Sequence, residues 1–190
     1  MKTSKNGIDL IKQFEGCRLT AYRLPGEKLY TVGYGHSGPD VLANMTISQE
    51  RAEELLKLDL VKFERYVEQY ATIPLTQPQF DALVSYTYNR GPGGMKKLAA
   101  ASKTAEDYAS NIVILWGSAQ RYKTALIKRR RAEQALFKSG MSKATIHDIA
   151  QEVIDGKWGT GAARKNAMTA AGWNYAEVQA EVNRILKGGE

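Results

Sequence analysis

A long helical repeat between Thr46 and Tyr70 constrains this chain more than any other sequence feature. Apolar residues recur there at every third or fourth position, the spacing that aligns one face of an α-helix: Ala52, Leu56, Leu60, Phe63, Val67 and Tyr70. The segment TISQ resembles a capping box, so the helix is predicted to begin at Thr46. With 43% apolar and 25% charged residues, the chain is expected to be globular.

The residues before this helix predict a short helix followed by a β-hairpin. Residues 4–15 carry apolar residues with steps of three, and Gly16 is placed to end a helix. In LTAYRLPGEKLYTVGYG, β-forming residues are interrupted by Pro25-Gly26, which is typical of a hairpin with a turn near residues 25–28. A small sheet is therefore expected directly after the first helix.

The remaining pattern predicts two domains. Helical segments are expected from residue 80 until the GPGG run at 91–94, and again over 104–116 and 118–138. Residues 1–140 are therefore expected to form one α+β domain, mostly helical, with a small N-terminal β-hairpin or sheet.

A polar joint, SGMSK, precedes the C-terminal segment. Beyond it, apolar residues and glycines predict three short helices, around residues 146–156, 162–171 and 175–186. The unit has no internal repeat. Residues 144–190 are expected to form a small three-helix bundle.

The positive charge lies in the first domain. The net charge is +7, and residues 1–143 hold 22 Lys and Arg against 14 Asp and Glu. Such a body favours a polyanionic partner: nucleic acid, anionic lipid or a bacterial wall. Nucleic acid is disfavoured, because the basic residues are spread over several predicted helices. The run Lys128–Arg131 is predicted to be a solvated helix face, on which Arg130 pairs with Glu133.

Glu15 is the first candidate for chemistry. It falls on the last turn of the first helix, and the hairpin is expected to return Thr31 and the GYGH segment toward that helix end. Glycoside hydrolysis needs one carboxylic acid and a second group that places water or stabilises the transition state. The partial negative charge of a helix C-terminus disfavours ionisation and suits a general acid. By periodicity alone, Glu15 also fits an ordinary solvated residue.

The motifs around Glu15 resemble a known family. FEGCRLTAY followed by TVGYGH is similar to the signature of the phage-type lysozymes, the muramidases of glycoside hydrolase family 24. QFDALVSYTYNRG and LIKRRRAEQALF, later in the chain, resemble that family's later helices, so the likeness covers about residues 6–140. The resemblance implies that Glu15 is the catalytic acid and that Thr31 positions water.

One position departs from that family's pattern. The family places Asp or Cys nine residues after the catalytic Glu, and this chain has Leu24 there. The hairpin also looks one residue longer, so a displaced carboxylate is expected to substitute: Glu27 at the turn is favoured over Asp40. The alternative for Glu27 is an exposed turn residue without a catalytic role. The resemblance implies that His36 is structural and pairs with an acid across domains.

The C-terminal segment resembles a second family. Residues 144–186 are similar to the three-helix wall-binding repeat of pneumococcal phage lysins, and EVIDGKWGTGAAR is the most distinctive part. The resemblance implies that Trp158 and Arg164 bind the muramyl-peptide part of the wall. An alternative for Trp158 is the core aromatic of a domain too small to fold without one.

Together these features predict an endolysin. The expected reaction is hydrolysis of the β-1,4 bond between N-acetylmuramic acid and N-acetylglucosamine in peptidoglycan, which lyses the host. A lytic transglycosylase and a catalytically inactive wall-binding protein remain alternatives. The N-terminus lacks a signal peptide, so we expect cytoplasmic accumulation until holin-dependent release, without stable membrane association. We expect a monomer without a cofactor or metal, because no Cys, His and carboxylate cluster surrounds His36 or His147.

Overall fold

A computed structural model describes residues 1–114, 123–141, 146–170 and 173–188. The chain divides into two compact units, residues 1–141 and 142–190. The first contains α1 (Lys5–Glu15), β1 (Arg18–Tyr22), β2 (Thr31–Gly33), β3 (His36–Ser37), α2 (Gln49–Tyr70), α3 (Gln77–Ala100), α4 (Ala105–Ile114) and α5 (Lys123–Ser139). The second contains α6 (Ile146–Ile154), α7 (Gly161–Ala170) and α8 (Tyr175–Leu186).

Helix α1 begins and ends as its sequence predicts. The Ser4 side chain accepts a hydrogen bond from the Asn6 N–H, which satisfies one of the free donors of the first turn. Gly16 ends the helix with a φ of 68°, a left-handed conformation that glycine adopts without a steric penalty. The chain then turns directly into β1, so Glu15 lies at the junction between helix and sheet.

The sheet confirms the predicted hairpin and adds a short third strand. Its order is β1-β2-β3 with antiparallel pairing. Tyr22 is opposite Thr31, and Thr31 is in turn opposite Ser37. The predicted α+β class, mostly helical with a small sheet, is therefore confirmed for the first unit.

The predicted start of α2 at Thr46 is wrong. Thr46 forms an isolated β-bridge with Thr20, and the helix begins after Ser48, whose side chain accepts from the Arg51 N–H. Pairing with β1 keeps Thr46 extended, and local sequence alone does not show this long-range contact. The helix itself is confirmed.

The predicted stop at the GPGG run is confirmed at Gly91, whose backbone is not helical, but a second helical stretch that the sequence did not predict follows it. Helix α3 continues to Ala100 and is kinked at Gly91, whose φ is 67°. Pro92 begins the second helical stretch, where proline's missing N–H costs nothing and its fixed φ suits a first turn. Helices α4 and α5 match the prediction within the described residues, whereas 115–116 and 118–122 of the predicted segments lie outside them.

The core of the first unit is built around α3, which packs against α1, α2, α4 and α5. Its buried side chains include Ile11, Leu56, Leu60, Phe80, Leu83, Leu98, Ile112 and Phe137. No helix among the described residues is long and apolar enough to cross a membrane. The packing fixes α1, α3 and α5 side by side, and this places Glu15 near the buried face of α5.

The second unit is a small helical bundle with its own core. Six buried residues form this core: Ile149, Ala150, Val153, Met168, Val178 and Val182. Trp158 and Trp173 pack against it while partly exposed. The three helices match the predicted ones, except that residue 171 lies outside the described part.

Candidate functional site

Glu15 is held at the end of α1 by an ion pair with a distant arginine. Its Oε1 accepts a hydrogen bond from Arg129 Nη1 at 2.6 Å, and 23% of the Glu15 side chain is exposed. A charge-assisted hydrogen bond of this kind is worth about 1.5–3 kcal/mol when partly buried. Glu15 therefore has a fixed position with one side open to solvent, which a reacting carboxyl group requires.

Arg129 is anchored from behind. Its Nε donates to Glu133 Oε1 at 3.0 Å, and its Nη2 donates to the Ser85 carbonyl at 3.1 Å. The side chain of Arg129 is 4% exposed. All three sides of the planar guanidinium thus have acceptors, and the direction of the contact with Glu15 is set by α3 and α5.

The prediction that the Lys128–Arg131 run is a solvated face is wrong for its two central arginines. Arg129 and Arg130 are buried, because α5 turns this part of its surface toward α3. The predicted pairing of Arg130 with Glu133 is confirmed, with Nε 2.9 Å from Oε2. Glu133 lies four residues after Arg129 and three residues after Arg130. This spacing was a sequence signal for an ion-pair network, which the hydrophobic periodicity of the helix does not show.

An open cavity of about 270 Å³ lies beside Glu15. Six further residues line it: Gly35, Asp59, Lys62, Phe63, Tyr88 and Asn89. Gly35 belongs to the GYGH segment, so the prediction that this segment returns to the end of α1 is confirmed. The lining combines a carboxylate, an ammonium, an amide and two aromatic rings, which suits a polyhydroxylated ligand with an amide substituent.

Tyr88 is a fixed hydrogen-bond donor at this cavity. Burial raises the pKa of its hydroxyl, and the negative charges of Asp59 and Glu15 add to this effect. The hydroxyl donates to the Tyr34 carbonyl at 2.9 Å, which ties α3 to the segment that precedes Gly35. Sequence analysis missed Asp59, Lys62, Tyr88 and Asn89 as site residues, because they come from two helices that only the fold brings together.

The remaining sequence candidates lie in the hairpin. Thr31 is the first residue of β2, opposite Tyr22, and is partly exposed. Glu27 is exposed in the turn, where its Oε2 accepts from the Leu24 N–H at 3.2 Å. Neither residue is among those that line the cavity beside Glu15. Their catalytic roles stay predictions.

His36 joins two carboxylates. Its Nδ1 is 2.9 Å from Asp59 Oδ2, and its Nε2 is 3.0 Å from Asp40 Oδ2. Burial lowers the pKa of His36, but hydrogen bonds to Asp40 and Asp59 outweigh it, so the pKa lies above the ordinary value. The His36 contact lowers the pKa of Asp40. The geometry fits the expected structural role of His36 and ties Asp40, the second candidate carboxylate, to that network.

The C-terminal candidates make local contacts. Trp158 is partly buried against the second core, and its Nε1 donates to Glu152 Oε2 at 2.9 Å. Arg164 is partly exposed, with its Nε donating to the Gly159 carbonyl at 2.9 Å. Both side chains thus frame the glycine-rich segment between α6 and α7. Across the ranges that the structure describes, no group of His, Cys, Asp and Glu has the arrangement of a metal site.

Comparison with known proteins supports both resemblances. The Phage lysozyme family model matches residues 12–133, and the CW_7 repeat model matches residues 147–186. The endolysin of Bacillus phage B103 is 43% identical over 153 residues, which cover 75% of this chain and 56% of that protein. The chain spans 56% to 63% of the length of the first curated relatives it matches.

Solved structures give the same result. A P22 lysozyme mutant is 35% identical, with a TM-score of 0.65 over 73% of this chain and 99% of that one. The muramidase domain of SpmX from Asticaccaulis excentricus is 31% identical, with a TM-score of 0.64 over 72% of this chain and 97% of that one. The family model, the sequence identity and the shared fold agree, and the chain belongs to the phage lysozyme family.

Proposed function

We propose that this chain is a muramidase of the endolysin type, which hydrolyses the β-1,4 bond between N-acetylmuramic acid and N-acetylglucosamine in peptidoglycan. The observation that carries the proposal is the placement of Glu15. A partly exposed carboxyl group ends α1, is fixed by Arg129 and faces a cavity lined by polar and aromatic side chains. Within the phage lysozyme family, this is the arrangement a general acid needs for protonating a glycosidic oxygen.

The second catalytic group is proposed to come from the hairpin. Glu27 lies in the loop between β1 and β2, and Thr31 is the first residue of β2. Leu24 occupies the position where the family has its middle catalytic residue. In this proposal Thr31 positions water, and Glu27 stabilises positive charge on the sugar. Asp59 is the other carboxylate that lines the cavity, but His36 already engages it.

A lytic transglycosylase is the second candidate, and the Leu24 position favours it. Such an enzyme needs one acid and uses the sugar's own hydroxyl as nucleophile, so it dispenses with a second carboxylate. A catalytically inactive wall-binding protein is the third. The products distinguish them: a muramidase leaves new reducing ends, a transglycosylase leaves anhydro sugars, and a binding protein leaves neither.

The second unit is proposed to hold the enzyme on its polymeric substrate. Its similarity to the CW_7 repeat covers residues 147–186, and Trp158 and Arg164 lie at the glycine-rich segment. An indole face suits an apolar sugar surface, and a guanidinium suits carbonyl and carboxylate groups of a muramyl peptide. Tethering raises the effective concentration of substrate at the first unit.

The proposal also includes holin-dependent release from the host cytoplasm, a monomeric state and a Gram-positive host.

The test is fragment release from purified peptidoglycan by the wild type, Glu15→Gln and Glu27→Gln. We expect the wild type to produce reducing N-acetylmuramic ends. In Glu15→Gln the rate of fragment release is expected to fall by a factor of about 10² to 10⁴, the usual contribution of a general acid. The exposed Glu54→Gln serves as the matched control, with circular dichroism as the check on folding. Wild-type protein that binds walls without cutting them would overturn the muramidase proposal.

The Glu27 variant tests whether the displaced carboxylate takes part in the reaction. If Glu27→Gln loses activity about as strongly as Glu15→Gln, the displaced carboxylate serves the reaction. If Glu27→Gln retains full activity, Glu27 is only a turn residue. Anhydro products from the wild type would assign the chain to transglycosylases instead.

A further inference from the structure

Glu133 is a fully buried carboxylate behind the arginine that holds Glu15. Its Oε1 accepts from three donors: Ser85 Oγ at 2.8 Å, Arg130 Nη2 at 2.9 Å and Arg129 Nε at 3.0 Å. The side chain has no exposed surface, and Glu133 is not among the residues that line the cavity. It therefore does not touch substrate, yet it contacts Arg129, the residue that binds Glu15.

The guanidinium of Arg129 transmits the position of Glu133 to Glu15. Its nitrogens lie in one plane, so fixing two of them fixes the direction of the third. Glu133 accepts from Arg129 Nε, and the Ser85 carbonyl accepts from Arg129 Nη2. The remaining nitrogen, Nη1, is thereby directed at Glu15. Without Glu133, the strongest remaining acceptor of Arg129 is the Glu15 carboxylate itself.

The charge of Glu133 also limits how strongly Arg129 holds Glu15. Two arginines, Arg129 and Arg130, share Glu133, and Arg130 also stacks over the Tyr86 ring at 4.7 Å. Burial raises the pKa of Glu133 above its ordinary value, and both guanidinium groups oppose that effect. An anionic Glu133 offsets part of the positive charge that would otherwise stabilise ionised Glu15.

The other charged and titratable groups of the cavity come from the facing helices. Asp59 and Lys62 of α2, and Tyr88 of α3, line the same cavity as Glu15. These three residues are the same in the wild type and in the variants of position 133. A change in the titration of Glu15 would therefore report the contact through Arg129.

We propose that Glu133 is a positioning residue of the muramidase reaction: it directs Arg129 toward Glu15 and limits how strongly that guanidinium holds the carboxylate. This inference rests on the proposed function. Its consequence is that the orientation of Glu15 depends on Glu133 as well as on Arg129. Replacing Glu133 by a neutral residue lets Arg129 pair more strongly with Glu15. In the variant, the protonation equilibrium of Glu15 is therefore expected to shift toward the ionised form.

The first measurement is the pH profile of fragment release for the wild type and Glu133→Gln. We expect kcat to fall about tenfold at neutral pH with KM within about twofold, and the basic limb of the profile to move down by about half a pH unit or more. Thr87→Ala is the matched control, because it removes the buried hydrogen bond that the Thr87 hydroxyl donates to the Leu83 carbonyl within α3, without changing charge. The basic limb of the pH profile of Thr87→Ala is expected to coincide with that of the wild type. An unmoved limb in Glu133→Gln overturns the proposal.

The second measurement does not depend on activity. Carboxyl ¹³C signals of the full-length chain are followed against pH, and the Glu15 signal is assigned by its loss in Glu15→Gln. We expect its midpoint to be lower in Glu133→Gln than in the wild type, and unchanged in Thr87→Ala. If walls are not cut but this midpoint moves, the proposed function fails while the coupling stands. If walls are cut and the midpoint does not move, Glu133 is only structural.

Glu133→Asp keeps the test decisive where the glutamine variant does not fold. The aspartate retains the charge but withdraws the carboxylate by one methylene, so its contact with Arg129 Nε lengthens. We expect a smaller downward shift of the Glu15 midpoint in the same direction. A folded Glu133→Asp protein with the wild-type midpoint overturns the proposal.

Discussion

The two compact units of this chain place their charged residues differently. The first buries Arg129, Arg130 and Glu133 within a core that contains 22 buried hydrophobic residues. The second has six buried residues, all hydrophobic among those described, and its candidate ligands Trp158 and Arg164 are partly exposed. A core must be large to surround a charge network with enough donors and acceptors. The difference indicates that the first unit can orient a reacting group from inside, whereas the second can only present groups at its surface.

The largest stability effect that tests this contrast is expected from Glu133→Ala. Removing one partner of a buried ion pair leaves Arg129 and Arg130 without their shared acceptor, and such losses cost about 3–5 kcal/mol of unfolding free energy. The measurement is denaturant unfolding of the full chain, followed by circular dichroism. Glu152→Ala is the comparison in the second unit, since Glu152 accepts only a partly exposed indole contact from Trp158 in the described structure. Equal losses for the two variants would contradict the contrast.

Local features of the first unit were predictable from sequence because they depend on neighbouring residues. Gly16 ends α1 as expected, and Pro25-Gly26 lies in the loop between β1 and β2. Errors arose where a distant contact decides the structure. Thr46 resembles a helix cap but pairs with Thr20 of β1.

The site followed the same rule. Glu15 was identified by its motif and its place at a helix end, both of which are local. For Arg129, 114 residues away, the sequence predicts a solvated position, because periodicity does not show which face of α5 meets α3. Tyr88 and Asp59 were missed for the same reason. The place of Glu15 at the helix end was therefore predictable, and the groups that orient it and line its cavity were not.

A second, smaller effect is expected at the surface of the C-terminal unit. Arg164→Gln removes the guanidinium that is proposed to bind muramyl peptide, and we expect about tenfold weaker binding to purified peptidoglycan, as for the loss of one charge-assisted contact. Thermal unfolding should change little, because the Arg164 side chain donates to the exposed Gly159 carbonyl, which water can satisfy. Lys165→Gln, on the same helix and exposed, is the control. Equal wall binding by both variants would remove Arg164 from the proposed site.

The third effect concerns pH and the half-buried His36 network. The folded pKa of His36 lies above its ordinary value of 6.5. Its contribution to stability is therefore fully present below pH 6.5 and is lost as pH rises through the folded pKa. We expect the Tm of the wild type to fall over that window by a few degrees, and His36→Asn to lack this fall. Thermal scans of both proteins at a series of pH values provide the check. A parallel fall in the variant would assign the effect to other groups.

The smallest effect is expected from Glu181, in the surface network of the second unit. The Arg184 hydrogen bond, followed by that of His147, lowers the pKa of Glu181 from 4.5 to about 2. A lowered folded pKa means that the stabilisation is present above pH 4.5 and is lost as pH falls toward 2. Because Arg184 is exposed to solvent and Glu181 is partly exposed, salt should weaken the pair. We expect Glu181→Gln to reduce the acid-side loss of Tm, and about 0.5 M NaCl to remove most of the difference from wild type. Persistence of the full difference in high salt would mean that this network is shielded from solvent, and the contrast between a buried and a surface arrangement of charge would fail at this position.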